Sequence, residues 1–166
     1  SQEGIVFDVK IFDELYENIK ISMLGLHQTN NATVALTVIK VLEEFYSIKI
    51  SRESIYKGLI KSRWPGRLEI IKESPIVLID GAHNTHGAKA LRRAIDSLFK
   101  GKRIIGLIGI LGDKDYKGML KEIVPLCTKV IITKPNSPRA LDLSILKKEI
   151  ETFGVEAIPC DSIMEG

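Results

Sequence analysis

From residue 76 to residue 160 the chain alternates short apolar runs with amphipathic ones. "IVLID" precedes a helical pattern from Asn84 to Phe99, "RIIGLIGIL" precedes "YKGMLKEIVPL", "KVIIT" precedes "LSILKKEIETFG", and "VEAIPC" closes the series. Aliphatic runs without polar alternation read as strands buried on both faces, and helical crossovers between successive strands set them parallel. The expected fold class is therefore α/β, with a mostly parallel sheet under helices that bury Ala88, Leu91, Ile95 and Leu98.

The first third of the chain reads differently. "GIVFDVKIF" and "YENIKISM" have period-two patterning and should form an antiparallel pair. "GLHQTNNA" is a polar corner in which Asn30 or Asn31 can cap a helix from about Ala32 to Tyr46, with Val34, Val38, Val41, Leu42 and Phe45 on its core face. A second helix, opened by Ser51 or Ser54, carries Ile55, Leu59 and Ile60. "PGR" at 65–67 is the sharpest break in the pattern. It divides the chain into the tail of one domain, 1–64, and a second, Rossmann-like domain, 65–166. Asp161 and Ser162 would cap a further helix just where the sequence stops, so the chain reads as an excerpt from a longer protein.

Bulk properties narrow the partners. A net charge of +3, from 24 basic and 21 acidic residues scattered along the chain, argues against nucleic acid or membrane. No apolar run approaches the roughly 18 residues of a membrane span, and the N-terminus lacks a secretory layout. Cys127 and Cys160 have no second pair beside them and are expected to be buried thiols of a cytoplasmic protein.

"LIDGAHNTHGAKAL", 78–91, joins an apolar strand to a helix through an acid, a glycine and two histidines. Ligands of parallel sheets bind beyond the carboxyl ends of the strands, where Asp80 would stand. His83 would sit beside a helix N-terminus, whose free N–H groups favour anions such as phosphate. The plainer alternative is that Asp80 and Asn84 only cap the helix while the histidines are solvated. His83 and His86 lack a third ligand nearby, which argues against zinc.

The same stretch closely resembles the DGAHNPHG signature of the folylpolyglutamate synthases and dihydrofolate synthases, members of the Mur ligase superfamily. "GLHQTNNATVAL" resembles that family's G-x-HQ-x-x-NA segment and "SRWPGRLEII" its WPGR-[LF]-E segment, in the same order. "LGDKDYKGML" and "TKPNSPRAL" match its D-K-D and P-R-A-L positions. The resemblance implies that 1–64 is the C-terminal part of the central ATP-binding domain and 65–166 the C-terminal, glutamate-ligase domain, truncated at its end. It implies an ATP-dependent amide ligase that adds L-glutamate to folate or dihydropteroate through an acyl phosphate. ATP, Mg2+, glutamate and the pterin acceptor are the implied ligands, and a cytoplasmic monomer the implied parent.

Carried over residue by residue, Asn31 would contact the nucleotide, Arg67 would hold phosphate charge, Asp80 would accept from the ribose hydroxyls, and His83 would be the catalytic group beside the transferred phosphate or incoming amine. Lys114, Asp115 and Arg139 would approach glutamate or phosphate. Two departures stand out. Thr85 occupies the position where the family usually has proline. No G-x-x-G-K-[ST] phosphate loop occurs in the 166 residues, and the family's magnesium ligands and pterin site lie upstream. The chain is thus expected to be inactive alone, binding nucleotide or glutamate weakly at most. The competing readings are a peptidoglycan Mur ligase fragment, disfavoured by Gly81 and the HQ motif, and a non-catalytic nucleotide-binding module.

Overall fold

A computed structural model describes residues 4–160; the Asp161–Ser162 cap lies outside the described residues. The chain divides into two compact units, Ser1–Gly81 and Ala82–Gly166.

In the first unit, β1 (Ile5–Ile11) and β2 (Glu14–Ile21) pair antiparallel, as their period-two patterning predicts. Ile11, Tyr16, Ile19 and Ile21 point to one face and are buried against Ala32 and Leu36 of α1 (His27–Tyr46) and Ile55 of α2 (Arg52–Lys61). Ser51 caps α2 by accepting from the Ser54 N–H. α2 is fastened to β2 by the Tyr56 hydroxyl, which donates to the Glu17 carbonyl at 2.7 Å, and by Arg52, which donates to the Leu15 carbonyl at 2.8 Å.

α1 departs from expectation in two ways. It starts five residues early, with Asn30 and Asn31 inside the helix and no side-chain cap at Leu26. Its packed face runs through Ala32, Leu36 and Ile39, whereas Val34, Val38, Val41 and Phe45 are exposed. The helix is apolar on two sides, so its spacing admits two stripes. The packed side also carries a charged group. Lys40, one turn on from Leu36, pairs with Glu14 of β2 at 2.6 Å and Glu43 at 2.8 Å, consistent with the Leu36 side facing inward.

That ion triad should make the first unit acid-sensitive. The Lys40 ammonium holds both Glu14 and Glu43 below the usual carboxylate value of 4.5, and Lys40 itself is raised. A depressed carboxyl contributes stability above its unfolded pKa and loses it as the pH falls through the folded one. The melting temperature should therefore hold from pH 7 to about pH 5 and fall below that. Lys40→Met should lower it by several degrees at pH 7 and flatten the acid limb, which a thermal-melt series would read directly.

β3 (Glu69–Glu73) and β4 (Ile76–Ile79) form an antiparallel hairpin. Here the structure differs from the sequence reading, which lays "IVLID" in the parallel sheet. In the second unit the parallel sheet has the order β5-β6-β7, from Ile105–Ile108, Lys129–Thr133 and Glu156–Cys160. The crossovers are α4 (Tyr116–Ile123) and α5 (Leu143–Glu151), and α3 (Thr85–Leu98) packs on α4. The core gathers Ala88, Met119, Leu120, Val130, Ile132, Leu146 and Ile150. Cys127 joins this core, where burial pushes its thiol pKa up, while Cys160 is half-buried, and both are free thiols. Among the described residues no helix is long and apolar enough to cross a membrane.

Candidate functional site

Three of the motifs meet in the first unit around Leu68. This residue is buried in a left-handed conformation at φ 47°, just after Gly66 at φ 72°. Its N–H donates to Asp80 Oδ2 at 3.0 Å, and the Gly81 N–H donates to the Gly66 carbonyl at 2.7 Å. Glu69 Oε2 accepts from the Gly66 N–H at 2.7 Å and braces the same turn. The strand-end acid is thus bonded to the PGR turn and does not cap α3. That cap is Asn84, which accepts from the Gly87 N–H at 2.8 Å.

Gly25 brings the third motif to the same place. At φ 91° it needs glycine for its backbone, and a Cβ there would lie 2.5 Å from Leu68 Cδ1. Gly25→Ala combines that clash with backbone strain and should destabilise the protein by about 1–3 kcal/mol. Urea unfolding of the pair of proteins would measure it.

Beside this junction a cleft of about 740 Å³ is lined by Trp64, Arg63, Arg67 and Glu69 among others. Arg63 is tied to the helix end, donating to the Ile60 and Ser62 carbonyls at 2.9 and 3.0 Å and to the Ser22 hydroxyl. Arg67 stands exposed at the lip, and its backbone N–H donates to the Trp64 carbonyl at 3.2 Å. Asn31 is exposed on α1 and donates to Oε1 of the buried Gln28 at 2.8 Å, so the HQ segment anchors it.

The second unit carries the remaining candidates. His83 is exposed, one residue before the α3 cap, where the free N–H groups of the helix start favour negative charge. The loops after β5 and β6 emerge at the carboxyl edge of the parallel sheet and are stitched together. The Gly112 N–H donates to the Arg139 carbonyl at 2.7 Å, and the Leu141 N–H to the Ile110 carbonyl at 2.9 Å. Arg139 pairs with Asp113 Oδ2 at 2.8 Å, and Lys114 lies 3.8 Å from the same oxygen. Asp115 is engaged on both sides. Its Oδ1 accepts from the Gly118 N–H at 3.0 Å, capping α4, and its Oδ2 from the Thr85 hydroxyl at 2.6 Å. Those bonds, the Thr85 one first, lower its pKa.

In the first unit Asp80 bonds the backbone of Leu68, next in the chain to Arg67, whose side chain lines the cleft; in the second, Lys114 and Arg139 meet on Asp113 while Asp115 bonds Thr85 and Gly118, and Asn31 is anchored to Gln28. Sequence reasoning passed over Glu69 and Asp113. Both belonged to motifs already quoted, the E after WPGR-L and the first D of D-K-D. Among the described residues no three His, Cys, Asp or Glu side chains converge as a metal cage.

Known proteins resemble this chain in sequence and in fold. Residues 66–165 match the profile described as Mur ligase, glutamate ligase domain. A dihydrofolate synthase/folylpolyglutamate synthase of Bacillus subtilis is 34% identical over 82% of this chain and 32% of its own length. One from Mycobacterium tuberculosis is 33% identical over 93% of the chain and 32% of its own length. The chain therefore spans about a third of the curated relatives it matches. A structure of the Mycobacterium tuberculosis folylpolyglutamate synthase, complexed with ADP and AMPPCP, superposes with a TM-score of 0.89 at 30% identity, covering 99% of this chain and 37% of that one. A folylpolyglutamate synthase from Thermotoga maritima gives 0.82 at 31% identity, over 98% of this chain and 38% of that one. With its motifs in order and its fold matched along nearly its whole length, the chain belongs to the Mur ligase family, in the group of folylpolyglutamate and dihydrofolate synthases.

Proposed function

We propose that the chain is the C-terminal portion of an ATP-dependent ligase that joins L-glutamate to folate or dihydropteroate. Residues 1–64 complete the central ATP-binding domain and 65–166 form the glutamate-ligase domain. The observation that carries the reading is the junction at Leu68. It ties the GLHQ, WPGR and DGAHN segments into one knot while leaving the Arg67 guanidinium exposed beside a cleft. A knot of turns that presents one permanent cation suits a triphosphate.

In this reaction a carboxylate oxygen of the pterin substrate attacks the γ-phosphorus of ATP, and ADP leaves. The glutamate amine then attacks the acyl carbon, and phosphate leaves with the bonding pair. Arg67 holds phosphate charge, Asp80 accepts from the ribose while keeping its bond to Leu68, and Asn31 contacts the base. His83 steadies charge at the transferred phosphate or orients the amine. Lys114 and Arg139 face glutamate or phosphate, and Asp115 braces their loop. Mg2+ would neutralise the triphosphate, and we assign its ligands to residues outside those described. The parent is a cytoplasmic monomer, and this chain alone is inactive.

The test is glutamate-dependent phosphate release by the complete protein given ATP and each pterin acceptor in turn. Release with either acceptor supports the reading. Its absence with both sinks it.

A further inference from the structure

Thr85 opens α3 in the position that the resembled motif gives to proline, and nothing in the helix start requires threonine. Asn84, which caps the helix, is extended at φ −151° and ψ 167°, a backbone that proline at 85 would accept. The hydroxyl is used elsewhere. It donates at 2.6 Å to Asp115, the cap of α4, thirty residues on. The fit is close: a Cβ on Gly118 would lie 2.2 Å from Asp115 Oδ2 and 2.5 Å from Thr85 Oγ1, so the absence of a side chain at 118 leaves room for the pair.

The loop held by this bond, between β5 and α4, carries Asp113 and Lys114. On its other side it is held by the Gly112–Arg139 backbone bond and the Asp113–Arg139 ion pair. It is therefore clasped from two directions, by the segment after β6 and by the start of α3 two residues beyond His83. We propose that the Thr85 hydroxyl is a positioning group that fixes the Asp113–Asp115 loop against the start of α3 and so sets the site for the incoming glutamate. This rests on the ligase reading above.

Thr85→Pro and Thr85→Val separate the clasp from the helix start, since proline suits the first helical position but lacks the hydroxyl. In the complete protein both should raise KM for glutamate roughly five- to tenfold with kcat within about twofold, the scale of one charge-assisted hydrogen bond. Thr85→Ser should restore it. In the complete protein, hydrogen exchange at the Gly118 N–H should quicken in both variants, while α3 in Thr85→Pro keeps its protection. Unchanged exchange overturns the clasp. Faster exchange with an unchanged KM, or a raised KM that serine does not restore, overturns the positioning role. If the unaltered complete protein releases no phosphate with glutamate, the ligase reading fails and the role in glutamate binding falls with it, while exchange at Gly118 still decides whether the clasp exists.

Discussion

His83→Ala in the complete protein is expected to lower ATP-dependent glutamate addition by about 10²-fold or more, the scale of losing one group that stabilises charge or guides a proton in the transition state. The helix start should survive the change, because the cap of α3 is the neighbouring Asn84. Asp80→Ala should also lower activity, but it cannot leave the fold as undisturbed as the motif alone suggests. It removes the acceptor of the Leu68 N–H in a partly buried turn, at about 1–3 kcal/mol. Asp80→Asn is the informative control. Its amide oxygen still receives the Leu68 N–H, so an activity loss in a protein of near-normal stability would point to the carboxylate itself. Full turnover by His83→Ala and Asp80→Asn would remove both assignments.

What the sequence disclosed, and what it hid, follows from how local each signal is. β6 runs Lys-Val-Ile-Ile-Thr with Val130 and Ile132 wholly buried, and the middle of a strand flanked on both sides has to be apolar. Asn84 marks the start of α3 because its side chain caps the third N–H ahead, an interaction contained within four residues. The start of α1 carries no such mark. Leu26 makes no side-chain cap, so Asn30 and Asn31 offered a false one. β4 illustrates a different limit, because four apolar residues fit a hairpin as well as a parallel sheet and only the pairing with Glu69–Glu73 decides.

The site shows the same division. Its motifs were visible, but the division of labour within them depends on contacts between residues far apart in the chain. Asp80 and Leu68 are twelve positions apart, Asp113 and Arg139 twenty-six, Thr85 and Asp115 thirty. Thr85 read as the loss of a favourable proline until its hydroxyl was found on Asp115. Asp115, a candidate for ligand contact by its motif, also accepts one bond within the protein at each of its oxygens, which no local pattern announces.

The outer stripe of α1 gives the second large effect. Val34, Val38 and Phe45 are 62%, 52% and 72% exposed on one side of a helix whose other side is already packed. Isolated apolar residues on a surface need no explanation, but a stripe repeated at helical spacing does. The relatives are about three times as long as this chain, and residues 1–64 are proposed to complete a larger domain, so the remainder of that ATP-binding domain is the occupant we assign. Val38→Asp with Phe45→Asp should then cost the complete protein about 3–6 kcal/mol, from two side chains at about 1.5–3 kcal/mol each. The same pair in the 166-residue chain should change stability by less than about 1 kcal/mol, since both positions already face water, and should raise solubility. Denaturant melts of the two lengths, with and without the substitutions, give the difference. Equal and small losses in both would mean that the stripe stays exposed, and the assignment of the rest of the ATP-binding domain as its occupant would fall.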